Sequence, residues 1–138
     1  MIKTFLVDYY GVIRHPQDDP FSVWNEVLLD FLCELSEKSE MYMFTNSVSA
    51  STDEVVLEKL QPLFIKIFSA NKMSLSKEDA SSYTLLVKKI GKQPSEILFI
   101  DDSVSNVEAA KSAGLNAVVY TSFEKLHNEL HELNKLFY

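Results

Sequence analysis

Acidic residues follow apolar segments in two distant parts of this sequence of 138 residues. Asp8 ends a largely apolar segment at residues 2–7 and precedes a turn at Gly11, while Asp101 and Asp102 follow the apolar segment 97–100. Because the carboxyl ends of parallel strands meet at one edge of a sheet, we expect these three carboxylates to converge. Convergent carboxylates of this kind are typical of a site for a divalent cation.

Other polar residues are expected at the same edge. Thr45 and Asn46 follow the apolar segment 40–44, and Lys77 is predicted to open the helix after the next strand. A carboxylate can attack a phosphate ester only if a dication and further hydrogen-bonding or positive groups offset the repulsion between them. In this sequence Thr45 offers a hydroxyl and Lys77 a positive charge. Lys72 lies earlier in the same loop and remains an alternative to Lys77.

The composition limits the class of protein. Apolar residues make up 46% and charged residues 24%, as in ordinary globular domains, and the length fits one domain over residues 1–138. The net charge of -7 disfavours nucleic acid as a partner, and no apolar stretch has the length of a membrane span. We expect a cytoplasmic protein that binds neither nucleic acid nor membrane, with the single cysteine, Cys33, as a buried thiol.

Apolar segments of strand length alternate with helical patterns, which predicts βαβ units and a parallel sheet. The expected fold is a single-domain α/β Rossmann-like three-layer sandwich, with a five-stranded parallel sheet in the order 3-2-1-4-5. Ser51 and Glu54 match a capping box at the start of the second helix. The predicted strands are 2–8, 40–45, 64–68, 96–101 and 116–120, and the predicted helices are 21–37, 52–61, 77–90, 104–113 and 122–136.

Four segments, 8–12, 44–46, 77–83 and 101–106, resemble in order the four motifs of the haloacid dehalogenase-like superfamily, most of whose members are phosphatases. The resemblance covers nearly the whole chain. It implies that Asp8 attacks phosphorus and forms an aspartyl-phosphate. It further implies that Thr45 and Lys77 hold the phosphoryl group and that Asn46 helps to bind the substrate.

The same resemblance implies a Mg²⁺ site. Its ligands would be Asp8, the backbone carbonyl of Tyr10 and Asp102, together with Asp101, and Asn106 would support them. A carbonyl oxygen is present whatever the side chain, so Tyr10 is compatible with metal binding.

Tyr10 departs from the usual motif, which has an acid/base aspartate at this position. An unperturbed tyrosine, with a pKa of about 10, is a poor base at neutral pH, so we expect slow turnover. Dehalogenases of the superfamily have a tyrosine there, which keeps attack on carbon as an alternative. The acid pair at 101–102 disfavours it. A third possibility is a catalytically weak module that binds a phosphorylated partner.

The segments between Asp8 and Thr45 and between Thr45 and Lys77 are too short for the cap domain that many relatives insert there. We therefore expect no large cap and an open site. An open site favours a large phosphorylated substrate such as a phosphoprotein, or a lid from a partner subunit. The protein is expected to be a monomer or a small homo-oligomer.

Overall fold

The computed structural model describes residues 2–15 and 23–133. Strands and helices alternate along most of this part of the chain. The strands are β1 Thr4–Val7, β2 Arg14–His15, β3 Val23–Trp24, β4 Glu40–Thr45, β5 Lys66–Ser69, β6 Ile97–Asp101 and β7 Asn116–Val119. The helices are α1 Glu26–Leu35, α2 Ser49–Thr52, α3 Glu54–Leu60, α4 Ala70–Met73, α5 Ala80–Ile90, α6 Val104–Ser112 and α7 Phe123–Leu133, with a short 3-10 turn at Pro94–Glu96.

Five strands form a parallel sheet in the order β5-β4-β1-β6-β7, which confirms the order predicted from the sequence. The central strand β1 pairs with β4 on one side, where Phe5 lies opposite Met41, and with β6 on the other, where Phe5 lies opposite Leu98. The carboxyl ends of β1, β4 and β6 are therefore neighbours, and the residues that follow them share one edge.

Alternating side chains give the sheet two buried faces, as the pleat of a strand requires. Phe5 and Val7 point to the face that packs against α1, α3 and α7, whereas Leu6 points to the face that packs against α5 and α6. Fully burying an apolar side chain of this size contributes about 1.5–3 kcal/mol. The three-layer α/β arrangement is thus confirmed.

The predicted helix at 21–37 is wrong at its beginning. Residues 21–22 lie outside the described part of the chain, and 23–24 form β3, which pairs antiparallel with β2. The helix starts at Glu26 because Asn25 caps it, its side-chain oxygen accepting a hydrogen bond from the Leu28 N–H at 3.2 Å. A small hairpin thus follows the turn at Gly11.

The predicted helix at 52–61 divides into α2 and α3. The break falls at Asp53, which has an extended backbone and caps α3 through hydrogen bonds from the Val55 and Val56 N–H groups. Ser51 belongs to α2. The predicted capping box of Ser51 and Glu54 is therefore wrong, since an aspartate directly before the helix takes that role.

Two further boundaries differ from the prediction. Helix α5 begins at Ala80 with Asp79 as its cap, so Lys77 lies in the preceding loop instead of opening the helix. The short helix α4 lies between β5 and α5, where the sequence predicts only the loop that carries Lys72 and Lys77.

Cys33 is exposed on α1, which contradicts the expected buried thiol. The predicted helix 122–136 corresponds to α7 up to Leu133, and residues 134–136 of the prediction lie outside the described part of the chain. Among the helices of residues 2–15 and 23–133, none is long and apolar enough to cross a membrane.

Candidate active site

A pocket of about 660 Å³ lies at the carboxyl edge of the sheet. It brings together the seven residues that the sequence predicts to be catalytic, substrate-binding or metal-binding, and also Asn106, which is predicted to support them. Its lining consists of Asp8, Tyr10, Thr45, Asn46, Ser47, Val48, Ser49, Lys77, Asp101, Asp102, Ser103 and Asn106.

The ammonium group of Lys77 forms ion pairs with two carboxylates of this pocket. Its Nζ lies 2.7 Å from Oδ1 of Asp8 and 2.6 Å from Oδ2 of Asp101. All three residues are buried, with 4%, 7% and 0% of their surface exposed. A buried charge is tolerated only when it is paired, and here one ammonium compensates two carboxylates.

Buried aromatic residues fix the position of Lys77. The Tyr83 hydroxyl donates a hydrogen bond to the Lys77 carbonyl at 2.6 Å, and burial raises the pKa of Tyr83, so the phenol keeps its proton. The Lys77 ammonium lies 5.5 Å from the Phe44 ring centroid and 5.6 Å from that of Phe99. Lys72, in contrast, is exposed on α4. The structure therefore places Lys77, and not Lys72, beside Asp8.

Both carboxylate oxygens of Asp101 have partners. Oδ1 accepts a hydrogen bond from the Ser103 N–H at 2.9 Å, and Oδ2 accepts one from Nδ2 of Asn106 at 3.2 Å in addition to the Lys77 contact. Asn106 is held because the Ser103 side chain caps α6 at the Asn106 N–H. The expected supporting role of Asn106 thus corresponds to a contact with Asp101.

Asp8, Asp101 and Asp102 form a cluster that could hold a metal ion. One carboxylate oxygen of each lies within 4.8 Å of the others. Burial raises the pKa of Asp8 to about 7, with Lys77 opposing the shift and Asp101 adding to it. Burial and the charge of Asp101 also raise the pKa of Asp102. Because a cation would relieve this repulsion, the cluster favours metal binding.

Gly11 allows Asp102 to approach the turn after β1. A Cβ atom at Gly11 would overlap the Asp102 carboxylate, and the Gly11 φ of +88° lies in the left-handed region that side chains disfavour. The turn that carries the Tyr10 carbonyl therefore lies directly beside the Asp102 carboxylate.

Thr45 and Tyr10 complete the wall of the pocket. Thr45 is buried, and its Oγ1 accepts a hydrogen bond from the Ser47 N–H at 2.9 Å, which leaves the hydroxyl proton for another acceptor. Tyr10 is half-buried, with its ring 4.6 Å from the Tyr9 ring. Asn46 is exposed at the rim.

Sequence reasoning missed two residues that connect the two acidic loops. Nδ2 of Asn25 donates hydrogen bonds to the Val12 carbonyl at 3.0 Å and to the Tyr120 hydroxyl at 2.8 Å. The Tyr120 N–H donates to the Asp101 carbonyl at 2.8 Å. A polar residue before an amphipathic helix marks a cap and could have identified Asn25. Nothing in the local pattern indicates the role of Tyr120.

Known proteins with similar sequences share short segments with this chain. Enolase-phosphatase of Yarrowia lipolytica is 49% identical over 43 residues, which cover 31% of this chain and 18% of that protein. Drimenol cyclase of Aspergillus calidoustus is 28% identical over 87 residues, which cover 62% of this chain and 16% of that protein. The chain thus spans less than a quarter of the length of these curated relatives.

Solved structures share the fold at low sequence identity. A HAD family enzyme of Bacteroides thetaiotaomicron, in complex with magnesium and inorganic phosphate, has a TM-score of 0.76 at 16% identity, covering 91% of this chain and 99% of that one. A HAD-like hydrolase structure from Porphyromonas gingivalis has a TM-score of 0.79 at 16% identity, covering 96% and 98%.

A family model described as haloacid dehalogenase-like hydrolase matches residues 2–114, most of the chain and every element that lines the pocket. The parallel sheet, with its acidic cluster and buried lysine at the carboxyl edge, has the arrangement that the four motifs imply. The chain belongs to the haloacid dehalogenase-like hydrolase family.

Proposed function

We propose that this protein is a magnesium-dependent phosphohydrolase that transfers the phosphoryl group of its substrate to Asp8. One observation carries the proposal: the Lys77 ammonium joins the buried Asp8 and Asp101 carboxylates beside Asp102 in an open pocket. A carboxylate that only stabilised the fold would not need a second acid, a buried cation and a hydroxyl around one cavity.

The donor atoms of the cluster suit Mg²⁺, which prefers carboxylate and carbonyl oxygens and keeps several waters. In our proposal Asp8, Asp102 and the Tyr10 carbonyl hold the ion. Asp101 has hydrogen-bond or ionic partners on both oxygens, so its main role is to orient Lys77 near the ion. When bound, Mg²⁺ shields the negative charges of the nucleophile and the phosphate from each other.

The side chains of the pocket then have separate roles in the transfer of the phosphoryl group. An Asp8 carboxylate oxygen attacks phosphorus, the bond between phosphorus and the leaving oxygen breaks, and the leaving oxygen takes a proton from solvent. Water then attacks phosphorus, the bond from phosphorus to the Asp8 oxygen breaks with its electron pair returning to the carboxylate, and the proton of the water passes to solvent. Lys77 offsets negative charge on the transferring group, and the free Thr45 hydroxyl proton donates to a phosphoryl oxygen. Asn46, exposed at the rim, contacts the part of the substrate that leaves.

The openness of the pocket supports a large phosphorylated substrate such as a phosphoprotein. Among the described residues, Asn46 and Val48 form an exposed rim, so this part of the chain leaves room for a bulky group at the pocket unless a partner subunit covers it. The likeness to enolase-phosphatase supports the phosphatase class. We further propose a cytoplasmic protein that acts as a monomer or small homo-oligomer.

Tyr10 favours a second candidate, a hydrolase in which Asp8 attacks carbon and displaces halide. The cluster of three carboxylates weighs against it, because carbon attack needs no Mg²⁺. Release of halide from a small haloacid without metal would establish this second activity.

Phosphate release from p-nitrophenyl phosphate and acetyl phosphate tests the main proposal. Wild type should release phosphate with Mg²⁺ and not with EDTA, and Asp8→Asn should lose the activity. Lys72→Met is the matched control for Lys77→Met, since only the latter removes the lysine beside Asp8. Equal activity in wild type and Asp8→Asn would refute the assignment of the nucleophile.

A further inference from the structure

A second groove lies along the outer edge of the sheet, at β5. It has a volume of about 450 Å³ and shares no lining residue with the active pocket. Helices α2 and α3 contribute to its wall on one side of the sheet, and α5 contributes on the other. Because β5 is the last strand in the sheet order, one side of its backbone has no paired strand among the described residues. An open edge of this kind can accept a further strand.

The charged residues that line this groove are all lysines. They are Lys66 on β5, Lys72 on α4 and Lys89 on α5, and each is exposed. No aspartate or glutamate lines the groove, although the chain has a net charge of -7. None of the ion pairs within residues 2–15 and 23–133 includes any of the three. Three unpaired lysines from three different elements form a positive surface, which favours an acidic partner.

The two walls of the groove differ in polarity. Lys66 lies on the side of α5, where its Nζ is 5.3 Å from the ring centroid of Phe68, a core residue of that side. Lys89 of α5 lines the same side. The next residue of the strand, Ile67, packs against the core on the side of α3, where Leu57 also lines the groove. Positive charge and apolar surface therefore lie on opposite sides of the open edge.

We propose that this edge binds an extended acidic segment of a partner protein, which adds to the sheet beside β5 as a further strand. Side chains of a strand alternate between its two faces. The segment therefore places acidic side chains towards Lys66 and Lys89 and apolar side chains towards Ile67 and Leu57. Backbone hydrogen bonds to β5 give affinity, and the alternation gives specificity. Binding at this edge does not require the phosphatase activity.

Charge disfavours the other occupants of such an edge. A second copy of this chain would bring the lysines of two grooves together, with no acidic residue in either lining to compensate them. A single-stranded nucleic acid would meet the same lysines, but it has no strand backbone that can pair with β5. An acidic peptide strand satisfies both the charge and the backbone of the edge.

Fluorescence polarisation with two short labelled peptides tests the proposal. In the first peptide Glu and Val alternate, and the second has the same residues in one block of Glu and one block of Val. The alternating peptide should bind about tenfold or more tightly than the block peptide, because only its charges and apolar groups segregate to opposite faces of a strand. It should also protect backbone amides of β5 from hydrogen exchange. Equal affinities for the two peptides, no binding of either, or tighter binding of a labelled oligothymidine would overturn the proposal.

Charge reversal at the groove locates the binding site. Lys66→Glu combined with Lys89→Glu should weaken binding of the alternating peptide about tenfold or more, because two attractions become repulsions. Lys38→Glu combined with Lys88→Glu is the matched control, since it changes the net charge equally outside the groove lining. All four lysines are exposed, so both double variants should fold like wild type.

Two results would contradict this location or this occupant. Equal peptide affinities in the two double variants would show that the peptide does not bind beside β5. A wild-type dimer in sedimentation equilibrium, with β5 amides already protected from exchange in the absence of peptide, would identify a second copy as the occupant and overturn the proposal.

Discussion

Among single residues, Lys77 has the largest effect on the charge balance of the pocket. Its ammonium compensates two carboxylates that would otherwise face each other in a buried place. Removing one member of a buried ionic group leaves the others unpaired, which costs far more than losing a surface ion pair. The same residue therefore governs both the stability of the metal-free protein and the charge that a phosphate meets.

Lys77→Met should lower the free energy of unfolding of the metal-free protein by about 3–5 kcal/mol, because Asp8 and Asp101 lose their shared partner. Lys72→Met, on exposed α4, should change it by less than about 0.5 kcal/mol. Denaturant unfolding measures both. Mg²⁺ should restore part of the stability of Lys77→Met, and equal losses in the two variants would contradict the role of Lys77.

The raised pKa of Asp8 predicts a pH dependence of stability. Burial moves the pKa of this carboxyl from 3.8 to about 7 in the folded protein, so the folded state binds more protons than the unfolded chain between these values. Asp8 therefore contributes to the free energy of unfolding in full below a pH of about 3.8, and this contribution is lost as the pH rises to about 7. In metal-free protein, Asp8→Asn should flatten the fall in unfolding free energy over this window, and an unchanged slope would refute the shift.

Gly11→Ala should weaken Mg²⁺ binding, because the new Cβ would displace the Asp102 carboxylate. Gly91→Ala is a matched control, since Gly91 has a similar φ of +79° but no atom within 4 Å of an added Cβ. Both variants should lose roughly 1–2 kcal/mol of stability through backbone strain. Only Gly11→Ala should lose Mg²⁺ affinity in titration calorimetry. Equal Mg²⁺ affinities in the two variants would show that Asp102 is not a ligand of the metal ion.

At the scale of elements, the site depends on connections between loops that follow different strands. Asn25, before α1, binds the Val12 carbonyl of the first turn and the Tyr120 hydroxyl after β7. The backbone of Tyr120 in turn holds the Asp101 carbonyl at the end of β6. These hydrogen bonds fix the distance between the turn that carries Tyr10 and the loop that carries the acid pair.

Tyr120→Phe removes one hydrogen bond from this connection and should cost about 1 kcal/mol of stability. It should also weaken Mg²⁺ binding several-fold, because the two acidic loops are no longer tied together. Tyr42→Phe removes a hydroxyl that contacts Glu40 away from the pocket, so it should leave Mg²⁺ affinity unchanged. The same Mg²⁺ affinity in both variants would show that the Tyr120 hydroxyl stabilises the fold without affecting the metal site.

At the scale of the whole molecule, the sheet order and the two buried faces follow from the sequence, because apolar strands alternating with amphipathic helices permit few other arrangements. The convergence of Asp8, Thr45 and Asp101 follows for the same reason. Three local features could not be predicted from the sequence, because each depends on capping or tertiary contacts that hydrophobic periodicity does not report. They are the break at Asp53, the hairpin β2–β3 and the loop around Lys77. The choice between Lys77 and Lys72 needed the contacts of Tyr83, Phe44 and Phe99.

Chemical trapping of the phosphorylated residue is the most direct test of whether Asp8 is the nucleophile. Borohydride reduces an aspartyl-phosphate to homoserine, so protein incubated with acetyl phosphate and Mg²⁺ and then reduced should contain homoserine at position 8 when its peptides are sequenced by mass spectrometry. The conversion should be absent with EDTA and in Lys77→Met strongly reduced. Homoserine in place of Asp101 or Asp102, or an unmodified Asp8 in protein that releases phosphate, would contradict the role of Asp8 as nucleophile.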